Sequence, residues 1–164
     1  MSPRAAWRLE SLGFPRVYDY AAGEADWLAF GLPSEGSEAA KPRAGAIARR
    51  DVPTCSLDDR LGDVRNRVET AGWDECVVVN HAGVVLGRVR GEALGGDAEE
   101  LVGAVMEPGP TTIRPDEPLA TLVPRLRDKR VGRIIVTTPD GRLVGLVERD
   151  VAERALGATE EDHD

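Results

Sequence analysis

The strongest constraint on what this chain can fold into is that it contains the same unit twice. Residues 52–94 align on residues 110–152 at a constant offset of 58 with no gap. Thr54 falls on Thr112, Asp58 on Asp116, Asp59 on Glu117, Leu61 on Leu119, Val64 on Leu122, Val68 on Leu126, Gly83 on Gly141 and Gly87 on Gly145. A repeat at fixed period is one supersecondary unit that cannot cover its own apolar surface and must stack on a neighbour. In each copy a short extended stretch, "VPTCSL" or "PTTIRP", leads to Asp58 or Asp116, which are suited to cap a helix. Apolar residues at helical spacing follow: Leu61, Val64 and Val68, then Leu119, Leu122 and Leu126. Pro118 fits a first helical turn, and Pro124 predicts a kink or a late helix start.

The runs "CVVV" (76–79) and "IIV" (134–136) are short and β-branched, as buried strands are. "NHAG" and "TTPDG" supply hairpin turns with glycine for a positive φ, followed by the return strands "VVLGRV" and "RLVGLV". "GEAL" and "VAERAL" close the copies as helices. The predicted class is α+β (α/β mixed): two β-α-β-β-α repeats packed sheet against sheet. Asp97 and Glu100 form a capping box for a helix through "AEELVGAVM" that ends at Met106. The expected organisation is a segment 1–33, a Gly- and Pro-containing polar linker 34–46, repeats at 47–96 and 97–157, and a disordered acidic tail 158–164.

A net charge of −8, from 29 acidic and 21 basic residues with no Lys/Arg stripe, argues against nucleic acid as a partner. No apolar run approaches the roughly 20 residues a membrane span needs. Cys55 and Cys76 lie at no metal-ligand spacing, and with no signal peptide the expectation is a reduced, cytoplasmic protein. His81, in a hairpin turn without a carboxylate or cysteine partner, is expected to be exposed and to bind no metal. Trp73 is expected in the core or at a dimer contact. No Ser/His/Asp set, phosphate loop or paired-carboxylate cleft can be assembled, so no catalytic residue is assigned.

The stretch "VGAVMEPGPTTIRPDEPLATLVPRLRDKRVGRIIVTTPDGRLVGLVERDVAERAL" closely resembles a cystathionine-β-synthase (CBS) domain, and residues 52–94 resemble its degenerate partner. The resemblance covers about 110 of the 164 residues. It implies a Bateman module: two CBS domains with pseudo-twofold symmetry and clefts that hold AMP, ADP, ATP or S-adenosylmethionine as regulatory ligands, with no required cofactor. It also implies a homodimer formed through the helices. Ligand-binding members carry, after a glycine of the last strand, a Ser or Thr three residues on and an Asp six on. Here Gly87 is followed by Arg90 and Ala93, and Gly145 by Glu148 and Val151. Glu92 and Asp150 stand one position early, a turn of about 100° on a helix. Arg133 matches a position that is often basic near ligand phosphates. The candidate ligand-binding residues are therefore Thr54, Arg90, Glu92, Thr112, Arg133, Glu148 and Asp150. A lost carboxylate clamp weakens an adenosine ligand by on the order of a hundredfold.

Cys55 precedes Arg60 by five residues, a spacing found in sulfur-carrying loops, but in the repeat it falls opposite Ile113, where an aliphatic side chain is accepted. Asp58 and Asp59 are expected to push its thiol upward. Residues 4–36 resemble the closing part of a rhodanese domain: helix 4–12 ended by Gly13, strand "RVYDY", helix 24–30 carrying Trp27, then "GLP". In that family the reactive cysteine loop comes just before this segment, so the expected fold has a partial helix-strand-helix rhodanese-like segment without its nucleophile. Three functions follow: a non-enzymatic CBS-pair sensor of an adenosine-type ligand, a ligand-independent dimerisation scaffold, or a truncated rhodanese sulfurtransferase fused to a CBS regulator.

Overall fold

The structure, a computed structural model, describes residues 3–18, 23–29, 32–33, 35 and 41–161. Two short helices, α1 (Pro3–Ser11) and α2 (Gly23–Ala29), precede the repeats. Gly13, at φ 92°, follows α1 as the sequence requires. Residues 16–18 of the expected strand "RVYDY" form no strand, and 19–20 lie outside the described residues. Among the described residues no strand pairs with 16–18, and without a ladder an extended stretch is not held as a strand.

The first repeat comprises α3 (Ala44–Ile47), β1 (Thr54–Cys55), α4 (Leu61–Thr70), β2 (Glu75–Val79) and β3 (Val85–Arg90). The second comprises α5 (Val102–Val105), β4 (Glu107–Pro108), β5 (Thr112–Ile113), α6 (Leu119–Asp128), β6 (Arg133–Thr137), β7 (Leu143–Glu148) and α7 (Arg149–Glu161). One sheet has the order β1-β2-β3-β4 and the other β5-β6-β7. The offset of 58 holds down to the register: Cys55 pairs with Val78 and Ile113 with Val136, both in parallel. Glu75 pairs with Arg90 and Arg133 with Glu148, both antiparallel, and each hairpin carries its irregularity at the equivalent place. Gly83 and Gly141 take φ 78° and 85° in the turns.

Residues 41–46 of the expected linker 34–46, together with 47–49, are tied to the second repeat. Arg43 bridges Pro118 as Leu101 bridges Arg60, and Arg49 bridges Leu146 as Glu107 pairs with Arg88. The duplication therefore reaches back to Arg43 and Leu101, and the two leading segments are exchanged. The Ala44 amide donates to the Glu117 carbonyl at 2.9 Å and the Leu119 amide to Pro42, while the Val102 amide donates to Asp59 at 3.0 Å and the Leu61 amide to Glu100. Ala44 is fully buried among Ile113, Leu119, Leu122 and Val147 of the second repeat. Val102 is fully buried among Leu61, Val64 and Val77 of the first. The sheets meet where Val84 bridges Arg142, with the Val85 amide donating to Gly141 and the Leu143 amide to Gly83. Ile135 and Leu146 join the first repeat's core.

Several local expectations are corrected. Helix α4 starts at Leu61 with Arg60 before it and no side-chain cap, and α6 has Pro118 in the same place. The bridges from Leu101 and Arg43 occupy the ground a capping carboxylate would take. Asp59 instead accepts from the Ser56 amide and hydroxyl and from Arg67. Pro124 sits within α6, which begins at Leu119, so the helix does not start late. The capping box yields only α5, because Leu101 is held extended against Arg60. "GEAL" closes the first repeat as a 3₁₀ turn, Gly91–Gly95, whereas α7 runs through Glu161 into the expected tail.

Candidate functional site

Strands β2 and β6 begin, and β3 and β7 end, at the same end of the molecule, where the two repeats face one another around a cavity of about 1020 Å³. Its wall is made of equivalent pieces: Asp74 and Glu75 answer Gly132 and Arg133, and Arg90, Gly91 and Glu92 answer Glu148, Arg149 and Asp150. Ala93, Leu94 and Glu107 complete it. Five of the seven sequence candidates, Arg90, Glu92, Arg133, Glu148 and Asp150, share this wall. Glu92 and Asp150 thus reach the pocket despite standing one residue early. Thr54 and Thr112 do not: they lie on β1 and β5, edge strands from which β2 and β6 separate β3 and β7.

The sign of charge inverts between the repeats. Glu75 opposes Arg90, where Arg133 opposes Glu148. Glu107 accepts from Arg88 Nε at 3.0 Å and from Arg90 Nε at 3.2 Å, while its counterpart Arg49 lies 3.5 Å from Glu148. Hydrogen bonds from Arg90 and then Arg88 hold the Glu107 carboxyl below its ordinary value. Arg133 serves three carboxylates: Asp74, Glu75 at 3.3 Å and Glu148 at 3.5 Å. The Arg49 guanidinium stacks 4.1 Å from the centroid of the Trp73 ring, with Arg133 at 5.8 Å. Trp73 is therefore a core residue that bears on the cavity through its cations. Asp74, Glu75, Glu107 and Arg149 were missed by sequence reading. The opposed signs at positions 75 and 133, and at 90 and 148, were the available signal.

Cys55 and Cys76 are free thiols, 4% and 0% exposed, away from this cavity. Cys55 and Ile113 occupy like environments, each buried and each paired into its β2 or β6 neighbour. The hydrogen bond between the thiols draws Cys55 down, against the expected effect of the nearby aspartates. The same bond, with burial, pushes Cys76 far above the ordinary thiol range. His81 is exposed. Among the described residues there is no cluster of three or more His, Cys, Asp or Glu able to hold a metal ion, and no helix long and apolar enough to cross a membrane.

Residues 102–156 match the family model of the CBS domain. The fold is shared with the cytosolic domain of the Mg2+ channel MgtE in complex with ATP, at TM-score 0.64 and 20% identity, over 73% of this chain and 52% of that one. It is shared with CBSX2 of Arabidopsis thaliana, solved in complex with AMP, at TM-score 0.63 and 18% identity, over 72% and 98%. It is also shared with the CBS domain pair of protein MJ0100 in complex with 5′-methylthioadenosine and S-adenosyl-L-methionine, at TM-score 0.61 and 14% identity, over 72% and 98%. The chain thus spans about half the length of the MgtE domain and nearly all of the two CBS pairs. No curated protein sequence matches it. The architecture is that of a CBS-domain pair.

Proposed function

We propose that this chain is a non-catalytic regulatory module that takes an adenosine-type small molecule into the cavity between its repeats. One observation carries the reading: five residues that the family resemblance singled out in the two repeats converge on a single wall, at the ends of equivalent strands. A pocket of this size with convergent polar groups is the usual form of a small-molecule site, and similar CBS pairs have been solved with AMP and with S-adenosyl-L-methionine. Asp150 is the carboxylate available for ribose hydroxyls. Isothermal titration of the full chain with AMP, ADP, ATP and S-adenosylmethionine tests it. Saturable heat with at least one of them is expected, and none at millimolar ligand would end the proposal.

A second reading, a ligand-independent dimerisation scaffold, is favoured by the pairing of Arg90, Arg133 and Arg149 with carboxylates of the chain itself. Light scattering that gave a dimer with a mass and Tm indifferent to nucleotides would support it.

A further inference from the structure

The cavity wall carries six carboxylates and three guanidiniums. All three guanidiniums are committed: Arg90 to Glu107, Arg133 to Asp74, Glu75 and Glu148, and Arg149 loosely to Asp150 and Glu153. A polyphosphate tail entering here would meet a formal excess of negative charge and cations already engaged elsewhere. A separate observation points to what is wanted instead. Glu75 is 3% exposed at the cavity wall; one oxygen receives only the shared Arg133 at 3.3 Å, and Oε2 has no hydrogen-bond partner. A buried carboxylate with an unfilled acceptor gains from a donor or a cation brought alongside it.

Building on the adenosine-site reading, we infer that the cavity selects its ligand by positive charge: it takes a phosphate-free adenosyl cation, with Glu75 and Glu92 as the carboxylates that favour it over a nucleotide. Arg133 now divides itself among three carboxylates, and a ligand ammonium or sulfonium supplies the positive charge that the wall lacks.

The test is titration of the full chain at low salt with S-adenosylmethionine, which is cationic, 5′-methylthioadenosine, which is neutral, ATP, which is polyanionic, and spermidine, a cation without adenosine. S-adenosylmethionine is expected to bind at least tenfold more tightly than 5′-methylthioadenosine, and ATP more weakly than either. Added salt is expected to weaken S-adenosylmethionine and to strengthen ATP. Glu75→Gln is expected to cost S-adenosylmethionine about tenfold while leaving 5′-methylthioadenosine unchanged; if that variant does not fold, Glu92→Gln, at an exposed position, is expected to shift the same ratio in the same direction. ATP binding as tightly as S-adenosylmethionine overturns the charge selection and leaves the adenosine site standing. Spermidine alone binding supports the charge selection and overturns the adenosine site. No binding by any of the four overturns both.

Discussion

Gly145 lies beneath Arg49, and a Cβ built on it would overlap the Arg49 carbonyl oxygen. Its counterpart Gly87 lies so close to the other leading segment that a Cβ would stand 2.6 Å from Met106 Sδ and 2.8 Å from the Glu107 carbonyl. These glycines, first noticed beside a ligand motif, are there to let a foreign backbone lie flat on β3 and β7. Gly145→Ala is expected to destabilise the protein by about 1–3 kcal/mol, read as a lower urea midpoint, because the obstacle is backbone and cannot rotate away. The thiols make a second residue-scale prediction. With Cys55 4% and Cys76 0% exposed, an aromatic disulfide reagent should label neither in the native protein and both in urea. Rapid native labelling of Cys55 would restore it as a candidate nucleophile.

Among the elements, the exchanged leading segments are the least intuitive. Ala44 is fully buried against second-repeat residues that follow it by 69 (Ile113) to 103 (Val147) positions, so Ala44→Asp introduces an unpaired buried charge there. Hydrogen exchange should accelerate at the Leu119 and Leu146 amides, which bond to Pro42 and Arg49, more than at the Leu61 amide. Helix α1 and the turn after it behave oppositely: Trp7, Leu12 and Phe14 are exposed, and Trp7→Ala should leave Tm nearly unchanged. The β-α-β-β core of each repeat was legible because period-3.6 and β-branched patterns recur 58 residues apart, and each lends weight to the other. Residues 41–49 were not, because they are short, their apolar side chains are mostly alanines without a clear period, and they are held chiefly by backbone hydrogen bonds to distant residues, which leave no mark on local pattern. The same limit explains the site. Arg90, Glu92, Arg133, Glu148 and Asp150 were found from the motif that the family resemblance implies, whereas Glu75 reads as an ordinary strand flank until its counterpart Arg133 is set beside it.

The whole molecule is held as one unit by side chains that cross between repeats. Leu146 belongs to the second repeat but is fully buried in the core of the first. Leu146→Ala should cost about 2–5 kcal/mol and lower a single thermal transition instead of splitting it in two. Acid should act on the whole as well. Glu107, held down by Arg90 and Arg88, and Glu153, held down by Arg127, have depressed folded-state values. Each therefore contributes stability that is present above the ordinary carboxylate value of about 4.3 and is lost as pH falls through the depressed one. A Tm that is flat near pH 7 and declines below about pH 4 is expected, with a shallower decline in Glu107→Gln; a decline that begins as pH rises from 5 to 7 would contradict the assignment.

The crossing of the leading segments also bears on how such a chain could arise. A lone 58-residue ancestor would have had its arm reaching for a partner it did not contain, and two identical copies embracing each other would have met that need. Tandem duplication then turns the embrace into a single molecule, and frees each half to lose what the other still supplies. The opposed charges at residues 75 and 133 and at 90 and 148 are the divergence that only a fused pair can keep.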